Sequence, residues 1–134
     1  MPLIYRLRYS DLHRYMRRAM HAGKRGYEIC GQLVLQEGHL TFVPVKNSTL
    51  DMGSFEMWYS WTIIALSKEA RHGTSLVGTY HSHPASPAVP GESDISGSRS
   101  NSLMLILACC DQKAGLWRIR GGAAHRAVLC IYRG

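Results

Sequence analysis

The chain lacks any hydrophobic run long enough to cross a membrane. Its longest apolar stretch, residues 103–110, has eight residues, where a spanning helix needs about 18. Acid is also scarce: nine Asp and Glu stand against sixteen Lys and Arg, a formal net charge of +7. The densest basic stretch runs from Arg14 to Arg25. It suits either steering of an acidic partner or plain solvation. There are only four cysteines, Cys30, Cys109, Cys110 and Cys130, and none forms a Cys-x-x-Cys pair. A thiolate zinc site is not expected on that pattern, and buried free thiols in a reducing, cytoplasmic setting are expected. The first ten residues carry arginines where a signal peptide needs an apolar stretch, so export by that route is not expected. No zinc knuckle or basic-aromatic repeat marks a nucleic-acid binder. Internal repeats, linkers and low-complexity segments are missing too.

What remains is an ordinary globular balance over 134 residues, with 46% hydrophobic and 19% charged side chains. That length predicts one domain spanning residues 1–134, with no room for a second core. Residues 3–9 read as a strand. A helix follows, with Ser10 as its cap and Leu12, Tyr15, Met16, Ala19 and Met20 on one face. Gly23 and Gly26 end it. Residues 28–36 and 40–46 read as strands joined by a turn at 37–39, and 55–59 as a short strand. Residues 61–71 read as a second helix and 75–82 as a strand. A loop with Pro84, Pro87 and Pro90 follows, and then a short helix capped by Ser93. Three late strands, 103–110, 116–120 and 124–132, complete the pattern, with turns at 113–115 and 121–122. The fold class is α+β: a mixed β-sheet flanked by two larger helices and one short one.

The chemistry concentrates in His81-Ser82-His83-Pro84 and in Asp94, eleven residues beyond His83. Strand periodicity puts His81 and His83 on one face. The proline-rich loop is long enough to bring Asp94 back to them. Two His and one Asp leave a coordination position open for water, as a catalytic zinc requires. Such a site needs a general base. Glu28, at the start of a strand in the apolar context Tyr27-Glu28-Ile29-Cys30-Gly31, is the best candidate. Trp117 alternates with charged neighbours and reads as core. Phe55, Met57 and Tyr59 share a strand face, and Trp58 points the other way.

Together these residues resemble the JAMM (MPN+) zinc metallopeptidases. The shared pattern is a strand Glu, then His-x-His-Pro, then a Ser-x-x-Asp segment. Glu28 and His81 are 53 positions apart, a spacing typical of that family. The resemblance covers nearly the whole chain and implies a single MPN/JAMM-like domain. It implies one zinc per chain on His81, His83 and Asp94, with Glu28 as base. One position departs: the family serine is Gly91 here, with Ser93 nearby but out of register, so the oxyanion donor falls to one of these two. The implied substrate is a ubiquitin-like protein or its conjugates, cut after the C-terminal glycine. Trp58 is a candidate substrate contact. Compact bacterial members of this type resemble enzymes that work with E1- and E2-like partners, and antiphage defence is one such setting. Two other readings stay open: a non-catalytic MPN scaffold, and a zinc peptidase acting on small or cell-wall peptides.

Overall fold

The computed structural model describes residues 3–47, 75–98 and 101–134. The expected strand at 55–59, the helix at 61–71 and Trp58 lie outside the described residues. Strand β1 (Ile4–Arg8) runs into helix α1 (Tyr9–Gly23). Strands β2 (Cys30–Gln36) and β3 (His39–Val45) follow, then β4 (Ser75–His83), helix α2 (Glu92–Ser96), β5 (Ser102–Ala108), β6 (Lys113–Arg120), β7 (Ala123–Arg126) and β8 (Val128–Tyr132). Among the described residues these strands form one mixed sheet ordered β7-β6-β5-β4-β2-β3-β1-β8. The pairs β1–β3, β1–β8 and β4–β5 are parallel, and the other neighbours are antiparallel. Also among the described residues, no helix is long and apolar enough to cross a membrane.

Helix α1 buries Tyr15, Met16 and Ala19, the face its periodicity predicts. Its start differs from expectation. The cap position is Arg8, with no side-chain cap bond, and Ser10 sits inside the first turn. The chain enters the helix directly from the β1–β8 ladder, whose extended backbone at Arg8 leaves no loop for a serine cap to close. Arg14, Arg17 and Arg18 stay exposed. Arg14 pairs with Asp11 at 2.7 Å, and Arg18 lies 4.8 Å over the Tyr15 ring.

The sheet carries apolar residues on both faces. Leu103, Leu105 and Leu107 of β5 pack with Leu33, Phe42, Tyr80 and the α1 face. The alternate residues Met104, Ile106 and Ala108 pack with Ala88 and Ile119 on the opposite side. Six of the seven residues of β5 are buried, so truncating Leu105 to Ala would cost about 2–5 kcal/mol. Gly31 is required for this packing, because a Cβ there would lie 2.4 Å from the Tyr80 ring.

Three further expectations change. The turn expected at 113–115 comes earlier, at 109–112, with Gln112 in the left-handed region (φ 55°). Residues 113–115 pair instead with Ile106, Leu107 and Ala108 of β5. The single late strand divides into β7 and β8 because they belong to opposite edges of the sheet. The thiols are free, yet only Cys30 is buried; Cys110 and Cys130 are exposed. The tertiary turn after β5 brings Cys110 to the surface.

Candidate metal centre

Strand β4 supplies the two histidines. Its register pairs His81 with Ile106 and His83 with Ala108. Both imidazoles therefore lie on the sheet face opposite α1, beside the second core cluster. His81 is fully buried and His83 nearly so. Their Nε2 atoms are 3.1 Å apart.

Helix α2 supplies the carboxylate. Its cap residue is Gly91, and Ser93 falls inside the first turn rather than at the cap. The capping role passes to Asp94, whose Oδ2 accepts the Gly91 N–H at 2.9 Å. A side chain reaching back in this way is held to one rotamer. The same carboxylate faces both rings: Oδ1 is 3.3 Å from His81 Nε2 and Oδ2 is 3.3 Å from His83 Nε2.

A backbone carbonyl orients His83. Its Nδ1–H donates to Pro87 O at 2.8 Å, which orients the ring so that Nε2 faces the other two groups. The proline loop holds its course through β6. The Trp117 indole N–H donates to Ala88 O at 2.9 Å. Gly115 lies so close that a Cβ there would be 2.4 Å from the same oxygen. Trp117 is thus half-buried with a polar task, rather than pure core.

Glu28 lies outside β2, which starts at Cys30, so the expectation of a strand residue is off by two positions. Its surroundings still tie it to the histidines. Cys30 pairs with His81, and the Ser82 N–H donates to Ile29 O at 3.0 Å. One step further along this antiparallel register, Glu28 stands opposite His83. The Ser82 Oγ accepts the Ile29 N–H at 2.8 Å, and the Asn47 amide donates to Glu28 O at 2.8 Å. Ser82 and Asn47 are positioning residues that the motif reading passed over. Ser82 is visible in the sequence as the residue between the two histidines. Asn47 carries no local signal.

The electrostatics separate these groups. Burial pushes the Glu28 carboxyl up to about 7; the His83 charge offsets part of this and the Asp94 charge adds to it. Burial holds the His81 imidazole below its ordinary value. Burial acts the same way on His83, but hydrogen bonds to Asp94 and Pro87 O outweigh it and the net shift is upward. Burial tends to raise Asp94, while hydrogen bonds from both imidazoles hold its carboxyl well below the usual range. Burial, with the Glu28 charge, pushes the Cys30 thiol up to about 12, leaving it inert beside the site.

His81, His83 and Asp94 form a group able to hold a metal ion. The two Nε2 atoms are 3.1 Å apart and each has its own Asp94 oxygen at 3.3 Å, and one donor atom from each residue lies within 4.8 Å of the others. Tetrahedral coordination with bonds of about 2.0–2.1 Å places ligand atoms about 3.3 Å apart, the separation that each imidazole already keeps from an Asp94 oxygen. Two nitrogens and one oxygen are also a donor set of the type found at catalytic zinc. Gly91 and Ser93 are both exposed at the start of α2.

The chain matches the family described as prokaryotic homologs of the JAB domain over residues 10–120. No match was found among curated proteins. Among solved structures, a solution structure from Desulfitobacterium hafniense is 20% identical with a TM-score of 0.80, covering 98% of this chain and 94% of that one. A JAB1/MPN domain protein from Archaeoglobus fulgidus is 16% identical with a TM-score of 0.55, over 93% and 98% of the two chains. A structure described as a metalloprotease-like zinc site in the proteasome and signalosome is 14% identical, also with a TM-score of 0.55, over 94% and 97%. At these identities the structural likeness speaks for the fold, and the family match spans most of the chain. The chain belongs to the prokaryotic branch of the JAB (JAMM/MPN) family.

Proposed function

We propose that this protein is a zinc-dependent peptidase that cuts after the C-terminal glycine of a ubiquitin-like protein, in deconjugation or precursor processing. The observation that carries the reading is the convergence of His81, His83 and Asp94 at 3.1–3.3 Å, beside a buried carboxyl whose pKa is about 7. In this reading one zinc per chain is held by those three side chains and supplies Lewis-acid polarisation and acidification of water. Glu28 takes the proton of the attacking water and returns it to the leaving amine. A carboxyl titrating near neutrality serves both steps. Asp94 and the Pro87 carbonyl keep the histidine nitrogens aimed, so little reorganisation is needed on reaction.

Access favours a slender substrate. His81 is 0% and His83 8% exposed, and a tail ending in glycine is the slenderest peptide that could approach them. The ubiquitin-like substrate, and E1- or E2-like partners of the same pathway, belong to this proposal.

The test combines metal analysis with cleavage of a ubiquitin-like fusion. Native protein is expected to hold about one zinc, His81→Ala and Asp94→Ala to lose it, and Glu28→Gln to keep it without turnover. Protein that binds no zinc refutes the reading. Protein that holds zinc yet cuts no fusion is a scaffold. Cleavage of short peptides in preference to the fusion points to a small-peptide or cell-wall substrate.

A further inference from the structure

We propose that Trp117 is a positioning residue of the metal centre, acting through the Ala88 carbonyl on the loop that orients His83. The inference rests on the zinc reading above. The loop between β4 and α2 carries Pro84, Pro87 and Pro90, which lack N–H groups. It has few donors with which to hold itself. The Pro87 carbonyl accepts both the Val89 N–H and the His83 Nδ1–H, each at 2.8 Å. Where that oxygen lies sets the orientation of the His83 ring.

The next residue is gripped from two sides. Trp117 Nε1–H donates to Ala88 O at 2.9 Å. Gly115 leaves the space that this carbonyl occupies, since a Cβ would stand 2.4 Å from it. The Ala88 methyl is buried in the cluster of Met104, Ile106 and Ala108. Trp117 itself is fixed by the sheet, paired with Met104 on one side and Arg126 on the other. The position of β6 is thereby passed through Ala88 to Pro87 O, and from there to the ring of His83. Loss of the grip lets Pro87 O shift, and with it the ring of His83 and the aim of its Nε2 toward His81 and Asp94.

Zinc affinity by chelator competition, and the visible spectrum of the cobalt-loaded protein, test this on the full chain. Trp117→Phe keeps the ring and loses the N–H. It is expected to raise the zinc dissociation constant about tenfold or more and to change the cobalt spectrum, with circular dichroism unchanged. Gly115→Ala keeps the ring but sets a Cβ 2.4 Å from Ala88 O and 2.9 Å from Trp117 Nε1, forcing the bonded pair apart, and is expected to act likewise, so the test survives if either variant folds poorly. Arg126→Ala leaves the N–H in place and is expected to hold the native affinity within about twofold. Native affinity and a native cobalt spectrum in folded Trp117→Phe overturn the proposal. Native protein that takes up neither metal refutes the zinc reading beneath it, a distinct outcome.

Discussion

Ser82 of β4 and Ile29, just ahead of β2, exchange two hydrogen bonds: the Ile29 N–H donates to Ser82 Oγ at 2.8 Å and the Ser82 N–H donates to Ile29 O at 3.0 Å. The fully buried serine between the histidines thus holds the residue next to Glu28. Ser82→Ala leaves the Ile29 N–H without its acceptor, which costs about 1–3 kcal/mol. Turnover is expected to fall while zinc content stays native, because Ser82 is not among the three donors. Denaturant melts and metal analysis of the variant check both parts; loss of zinc together with activity contradicts the assignment.

Glu28 makes metal-free stability depend on pH. Its carboxyl titrates near 7 in the fold against 4.5 ordinarily, chiefly through burial, and the neighbouring groups are His83, Asp94, Cys30 and Cys109. Below the unfolded value both states are protonated and the group is neutral to stability. As pH rises from 4.5 to about 7 the unfolded chain ionises first, so stability falls. Glu28→Gln removes this penalty. Metal-free Glu28→Gln is expected to exceed metal-free native protein by up to about 3 kcal/mol at about pH 8, and to match it near pH 4. Denaturant melts at the two pH values measure the difference; a pH-independent difference contradicts it.

Gly91 has an ordinary extended backbone (φ −85°, ψ 173°). A Cβ there meets only Asp94 Oδ2, at 3.7 Å. Gly91→Ser is therefore accommodated, and as an N-cap it adds a few tenths of a kcal/mol. If the residue at 91 supplies an oxyanion donor, kcat rises by up to about a hundredfold with zinc content unchanged. Single-turnover cleavage by native, Gly91→Ser and Ser93→Ala protein decides. No gain from Gly91→Ser with loss in Ser93→Ala assigns the donor to Ser93.

The exposed arginines of α1 are not equivalent. Arg14 is held by Asp11 and Arg18 lies over Tyr15, while Arg17 projects into solvent from the same helix. If α1 steers an acidic partner, Arg17→Glu slows association several-fold at low salt, and the difference fades as ionic strength rises past about 0.15 M. Stopped-flow association at several salt concentrations reads this directly. A salt-independent rate leaves the charge of α1 with solvation alone.

Local chain chemistry determined a good part of this protein. The spacing of Leu12, Tyr15, Met16 and Ala19 specifies the buried face of α1. The Gly121-Gly122 turn, with φ of 60° and 73°, specifies the β6–β7 hairpin. Period two puts His81 and His83 on one face whatever surrounds them. These are properties of neighbours in the chain, and periodicity or turn chemistry reads them directly. The tertiary structure decided the rest. The opposition of Glu28 to His83 depends on β2 lying beside β4, with Ile29 and Ser82 53 positions apart in the chain. That Asp94 both caps α2 and faces two imidazoles depends on the path of the proline loop. That path depends in turn on Trp117, 29 residues beyond Ala88. Such contacts follow from strand order and loop course, which no local period encodes, because the bonds that select them form only between segments that folding has already brought together.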